Sequence, residues 1–293
     1  MPELPEVETV RSGLEPILQG RRILRVEQRR KDLRFPLPER FAERLAGRRI
    51  SRLERRAKYI LVHLDKGEVL AIHLGMTGRF SVDRKDKQSK LGEFAHEHGH
   101  DAKHDHVVFT ISGGAIVTYN DARRFGYMTL IPTAEIARDA FFRGLGVEPL
   151  GDDLNAAYVA SRALGKKTDC KAFLMDQRIV AGLGNIYVCE ALFRAGLDPS
   201  KGAARLATGT GKPTPAAQRL VTAIKAVLQD AIHAGGSTLR DYRQANGDIG
   251  TFQKAFAVYG REGEPCMKPG CRGTVRRKTQ GGRSTFYCPA CQR

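Results

Sequence analysis

The chain has 293 residues, 41% of them hydrophobic, and a formal charge of +17. That length accommodates two domains and a small appendage. No run approaches the roughly 20 apolar residues of a membrane span, and the start MPELPEVETVR lacks the basic-then-apolar order of a secretory signal. These features exclude a membrane-spanning or secreted protein and imply a cytoplasmic globular one, and the excess of positive charge points to a polyanionic partner, most simply nucleic acid.

In chain order, a first helix is expected from Pro5 to about Leu14. Proline suits the first turn, Glu6 and Glu8 suit its positive end, and Val7, Val10 and Leu14 share a face. Strand-like runs follow at Ile23–Gln28, Tyr59–Leu64, Val69–Leu74, Val107–Ile111, Ala115–Tyr119 and Met128–Ile131, with turn-sized gaps at 65–68 and 112–114. No long helix interrupts them, so the expected arrangement is an antiparallel β-sandwich and not a doubly wound sheet. Residues 83–104 are polar and weakly periodic and read as a surface insertion. His96, His98 and His100 alternate within it, although such histidine-rich loops commonly bind no physiological metal. Beyond about residue 151 the pattern turns helical, at Leu154–Leu164, Cys170–Val180, Ile186–Ala195 and Ala216–Ala234. Residues 201–215 form a loop, and the Gly-rich stretch 235–260 is expected to be an exposed one.

Three stretches carry chemistry. The tail CMKPGCRGTVRRKTQGGRSTFYCPAC spaces Cys266, Cys271, Cys288 and Cys291 as C-x4-C, sixteen residues, then C-x2-C. Two such knuckles at the ends of a hairpin deliver four thiolates to one tetrahedral Zn2+. Residues 261–293 hold eight Lys/Arg against two acids, which suits a rigid clamp on a phosphate backbone, and Gln280–Arg283 is the expected tip that thrusts Arg283 outward. Cys170 and Cys189 have no partners nearby in sequence and are expected to be core or surface thiols. In GLGNIYVCEALF, two glycines precede Asn185 and an amphipathic helix. This is either a phosphate site at a helix start or a plain helix–helix turn capped by Asn185, and in isolation the second reading is the better one. The third stretch is the N-terminus. Once Met1 is removed, Pro2 has a free secondary amine whose pKa is about 8, so an appreciable fraction is nucleophilic near neutral pH, and Glu3 beside it can move protons. On these residues alone, a reactive terminus and an incidental proline stand level.

The whole chain tips that balance. MPELPEVETVR, RRAKYILVHL, IHLGMTGRF, KHDHVVF, DARRFG, LMDQRIVAGLGNIYVCEALF, YGREGEPC and GGRSTFYCPACQR resemble, in order and over nearly the full length, the formamidopyrimidine-DNA glycosylases of bacterial base excision repair. The resemblance implies a multi-domain α+β fold: an N-terminal antiparallel β-sandwich with an N-terminal helix over 1–133, a linker over 134–151, a helix-two-turn-helix domain over 152–258 and a zinc-finger β-hairpin over 259–293. It implies a bifunctional glycosylase/AP lyase that excises 8-oxoguanine and ring-opened purines from damaged duplex DNA through a Schiff base on Pro2 and then cleaves the strand by β,δ-elimination. It further implies Glu3 as acid/base, Glu6 as a second buried glutamate, Lys58 as a phosphate contact that assists β-elimination, and Arg283 as a phosphate contact and acid in δ-elimination. Met76, Arg123 and Phe125 correspond to the wedge that enters the duplex, and His104, Lys166, Lys171 and Asn185 to backbone-phosphate contacts. One structural zinc, a monomer and a cytoplasmic, nucleoid-associated location complete the expectation, with base selectivity in the loop at 234–252.

Two departures stand out. Ala122 occupies the position of the usual proline in the wedge loop, which makes that loop less rigid, and the first zinc knuckle has four intervening residues in place of two. Two other readings compete: a glycosylase resembling endonuclease VIII that prefers oxidised pyrimidines, and a non-catalytic DNA-binding zinc protein. Leu4, Met76, Arg123 and Phe125 favour the purine enzyme over the former, and Pro2 and Glu3 argue against the latter.

Overall fold

The computed structural model describes residues 2–84, 101–237 and 250–293. The alternating histidines His96, His98 and His100 and most of the expected base-selecting loop lie outside the described residues. The chain divides into two compact units, Met1–Arg143 with Ala234–Thr251, and Gly144–His233 with Phe252–Arg293. The stretch 234–251 therefore groups with the sandwich and not with the helical region, and the cysteine module groups with the helices.

The first unit begins with α1 (Leu4–Leu18). It runs one turn beyond the expected end, through Pro16, because Leu18 continues the buried face of Val7, Val10 and Leu14. Eight strands follow: β1 (Ile23–Gln28), β2 (Ile50–Arg56), β3 (Tyr59–Leu64), β4 (Glu68–His73), β5 (Arg79–Arg84), β6 (Asp105–Ile111), β7 (Ala115–Asn120) and β8 (Tyr127–Pro132), with the short helix α2 (Phe41–Leu45) after β1. They form two four-stranded antiparallel sheets, ordered β1-β6-β7-β5 and β2-β3-β4-β8. Ile23, Phe80, Phe109 and Val117 of one sheet share a core with Ile50, Val62, Leu70 and Ile72 of the other and with α1. The sandwich expectation is borne out. β2 and β5 are additional to the expected strands: β2 has a register shift between Ile50 and Arg52, so its buried Ile50 and Leu53 fall three apart and the period of two is lost, whereas β5 alternates, with Phe80 and Val82 buried.

The topology of the sandwich has one consequence for the site. The segment 74–78 crosses from β4 in one sheet to β5 in the other, and 121–126 crosses back from β7 to β8. His73 pairs with Tyr127 at one end of the two crossovers, and Arg79 pairs with Asn120 at the other. Two loops more than 40 residues apart in sequence must therefore run side by side.

The second unit holds α3 (Ala156–Ala163), α4 (Cys170–Met175), α5 (Asn185–Ala195), α6 (Pro215–His233) and the antiparallel hairpin β9 (Arg276–Gln280) and β10 (Arg283–Tyr287). α4 stops at Met175, short of the expected Val180: the Gln177 side chain donates to the carbonyls of Met175 and Leu183 (3.1 and 2.8 Å) and accepts from the Gly182 N–H (2.9 Å), organising a compact turn before α5. The expectation of an exposed loop over 235–260 is corrected for its described part. Phe252, Phe256 and Val258 are buried, because three backbone N–H groups at 257–259 converge on a buried carboxylate described below.

Candidate active site and nucleic-acid-binding elements

The head of α1 gathers three of the expected residues. Pro2 is buried, and Glu3 and Glu6 are 4% and 2% exposed. The Glu6 carboxylate accepts the Glu3 backbone N–H at 2.8 Å and, on its other oxygen, the Ser237 N–H and hydroxyl at 2.8 and 2.9 Å. Glu6 thus fastens the first turn of α1 to the root of the 234–251 segment. Gly236 makes the approach possible: its φ is +80°, and a Cβ there would lie 3.2 Å from Glu6 Cγ. Lys58, 8% exposed, sits in the two-residue turn between β2 and β3 beside Ala57, whose φ is +52°. Arg55 ties that turn to α1, with its guanidinium 3.0 Å from the Glu8 carboxylate and 3.0 Å from the Ala57 carbonyl.

Met76, Arg123 and Phe125 lie on the two adjacent crossovers. Met76 is half-buried, Phe125 is 42% exposed, and the Arg123 guanidinium lies 4.6 Å from the Phe125 ring centroid. The crossovers touch backbone to backbone: a Cβ on Gly75 would fall 2.3 Å from the Gly126 nitrogen. Beneath them the His73 ring stacks on Tyr127 and accepts the Gly75 N–H at 3.0 Å through Nδ1. Burial, with Lys58 and Arg34 nearby, pushes the His73 pKa down to about 4, so the ring stays neutral and structural. His104 is half-buried in the turn before β6.

In the second unit, the sulfurs of Cys266, Cys271, Cys288 and Cys291 all lie within 4.8 Å of one another. The donor set fits one structural Zn2+. N–H groups of Lys268 and Gly273 point at Cys266 and Cys271 sulfurs (3.5 and 3.4 Å), and Gly273 is required because a Cβ would come within 2.7 Å of Cys288 Sγ. The hairpin turns at Gly281-Gly282, both at positive φ, and Arg283 stands exposed beside that tip as expected. Lys166 is also exposed. Asn185 does not cap its helix. Gly184 takes that place, and the Asn185 amide reaches across to donate to the Ser284 carbonyl at 2.9 Å. Cys170 and Cys189 are core thiols, and burial pushes the Cys170 pKa up to about 11.

Matches to known families agree with this geometry. Residues 1–128 match the formamidopyrimidine-DNA glycosylase N-terminal domain, 145–243 the H2TH domain of the same glycosylases, and 263–293 a zinc finger found in FPG and IleRS. The chain belongs to the formamidopyrimidine-DNA glycosylase family. It is 58% identical to a formamidopyrimidine-DNA glycosylase of Rhodopseudomonas palustris (strain BisB18) over the whole of both chains. Its fold is similar to the crystal structure of MutM (Fpg) from Thermus thermophilus (TM-score 0.81, 37% identity, covering 99% of this chain and 98% of that one). It is also similar to the Lactococcus lactis Fpg solved with DNA containing an abasic site (TM-score 0.83, 31% identity, complete coverage of both).

Of His104, Lys166, Lys171 and Asn185, which the glycosylase resemblance assigns to backbone phosphate, Lys171 is the one withdrawn from the surface. Lys171 is 3% exposed, and its ammonium donates to Thr285 Oγ1 at 2.6 Å and the Ser284 carbonyl at 3.3 Å. Burial lowers its pKa, and the ammonium braces β10. Sequence reasoning also passes over Glu190, Ser237, Thr77 and Asp121. Glu190, with no exposed surface, accepts the backbone N–H groups of Ala257, Val258 and Tyr259 at 2.9, 3.0 and 2.9 Å, tying α5 to the approach to the zinc module. A carboxylate inside the apolar run YVCEALF is its available signal, since burial of a charge requires such partners. Ser237 and Thr77 have no comparable mark.

Proposed function

We propose that this chain is a bifunctional DNA glycosylase/AP lyase that removes oxidised purines from duplex DNA, acting as a monomer on cytoplasmic, nucleoid DNA. The observation that carries this reading is the head of α1, where Pro2 and the carboxylate of Glu3 are adjacent and withdrawn from water. After Met1 is removed, the secondary amine of Pro2 attacks C1′ of the damaged nucleotide and the glycosidic bond breaks. The base leaves with a proton, and sugar ring opening gives an iminium on the proline nitrogen, with Glu3 moving the protons. The iminium is an electron sink: loss of a C2′ proton expels the 3′ phosphate, and a second elimination expels the 5′ phosphate. Lys58 and Arg283 assist these two eliminations. A base in the stack is unreachable, so Met76, Arg123 and Phe125 fill the space it vacates while the duplex kinks. Cys266, Cys271, Cys288 and Cys291 would hold a structural Zn2+ that anchors the hairpin presenting Arg283.

Borohydride trapping on a duplex with one 8-oxoguanine opposite cytosine, followed by mass spectrometry, tests this. An adduct on the residue 2 amine is the expected result. Absence of an adduct on a preparation with Met1 removed, together with salt-sensitive duplex binding, overturns it, and a duplex with an oxidised pyrimidine then separates the remaining enzyme reading from a binding protein.

A further inference from the structure

The wedge has three side chains but two loops, and beyond the close glycine contact at Gly75 and Gly126 the polar tie between the loops centres on one buried carboxylate. Asp121 has no exposed surface. Its Oδ1 accepts the Thr77 hydroxyl, and its Oδ2 accepts the Gly126 N–H at 2.8 Å and the Tyr119 hydroxyl at 3.3 Å. Thr77 Oγ1 in turn accepts the Arg123 backbone N–H at 3.1 Å. One hydroxyl therefore bonds both to the first residue of the second crossover and to the residue that carries its arginine. Asp121 closes that crossover at its far end through Gly126, whose carbonyl accepts the Arg34 N–H at 3.0 Å. Each wedge residue lies next to a member of this network: Met76 beside Thr77, Arg123 bonded to it, and Phe125 beside Gly126.

We infer that Thr77 and Asp121 are positioning residues that lock the two crossovers into one body, so that Met76, Arg123 and Phe125 enter the base stack together. The inference rests on the glycosylase reading above. Prising a paired base out of a duplex costs a few kcal/mol of unstacking, and that load falls on the wedge. Loops free to yield separately return part of it as loop motion. A fully buried carboxylate that accepts from both crossovers ties them more firmly than loop packing alone, where Ala122 leaves the backbone less restricted than a proline would. The demand is smaller at a preformed abasic site, where no base pair has to be broken.

Thr77→Val keeps the shape and removes both hydrogen bonds, and Thr77→Ser keeps the hydroxyl. The expected result for T77V is single-turnover excision of 8-oxoguanine opposite cytosine slowed about tenfold, with strand cleavage at a preformed abasic site within about twofold of wild type and T77S within about twofold on both substrates. Thr77→Ala carries the same expectation and serves if valine prevents folding. Equal losses on the two substrates, no loss on either, or a serine variant no better than valine overturns the inference while leaving the glycosylase reading intact. A wild-type protein inactive on both duplexes overturns the reading and the inference with it.

Discussion

In the first unit Arg123 and Phe125 stand on a crossover held by groups within the sandwich: close glycine contacts, a buried aspartate and a neutral histidine. In the second, Arg283 stands on a five-residue strand of a two-stranded hairpin held by four sulfurs at its base and by Lys171 and Asn185 from neighbouring helices. Both place a cation on a tight turn, but the means differ with the core available. The crossovers link two sheets with a common apolar core, so polar ties only refine their position. A lone hairpin is marginal in water, and this one has a small cluster around Val258, Val275 and Phe286, so a metal must supply the rest.

The sharpest way to break this comparison is to remove the metal. Chelation is expected to abolish amide-exchange protection across Arg276–Tyr287 and to weaken duplex binding at least about 100-fold, since structural zinc contributes of order 10 kcal/mol to a small module. Protection across β3 and β8 should stay at the level of the untreated protein. Loss of protection in both places would show that the crossovers lean on the metal as well.

A smaller effect separates the two regions by pH. The His73 pKa falls from 6.5 to about 4 on folding, so at pH 5 the unfolded chain binds a proton that the folded chain does not. Its contribution is complete above about pH 6.5 and is lost as pH drops toward 4, by up to about 3 kcal/mol before solvent screening is allowed for. His73→Asn replaces Nδ1 with an amide oxygen that can still accept the Gly75 N–H. Urea midpoints at pH 7 and pH 5 should show a smaller acid loss in the variant than in wild type, and identical losses would assign the acid sensitivity elsewhere.

The smallest effect sharpens the account of the wedge loop. Ala122 is exposed and follows Asp121 in a turn closed by the Arg124 N–H to Asp121 carbonyl bond at 3.2 Å. Proline is favoured at that place in a turn. Ala122→Pro should raise stability by about 0.5 kcal/mol, read as a urea midpoint shift, by narrowing the unfolded ensemble. A loss of stability would mean that the Asp121 network imposes a backbone that proline cannot follow.

Much of this is legible along the chain. Six strands and five helices are legible in the sequence: β3 and β4, buried on both faces, read as continuous apolar runs, and α1 and α6 repeat their buried positions at helical spacing. β2 is not: arginines and a bulge break its alternation, while β5 shows its period only over the short run 80–82. Lys171 escapes sequence reasoning for a related reason. The glycosylase resemblance assigns it to a phosphate, and only the position of Thr285, 114 residues away, shows that its ammonium also braces a strand.

By itself the sequence determined the four zinc ligands, the hairpin tip, the place of Pro2 beside Glu3 and the apolar faces that make the sandwich. Each depends on residue type and short spacing, which a chain carries locally. The tertiary structure alone decided that Glu6 would be taken up by Ser237, 231 residues on, that Lys171 would brace a strand, and that Thr77 and Asp121, 44 residues apart, would join two loops. A buried polar group takes whichever partner the packed core brings within hydrogen-bond reach, and no period in the sequence records that choice.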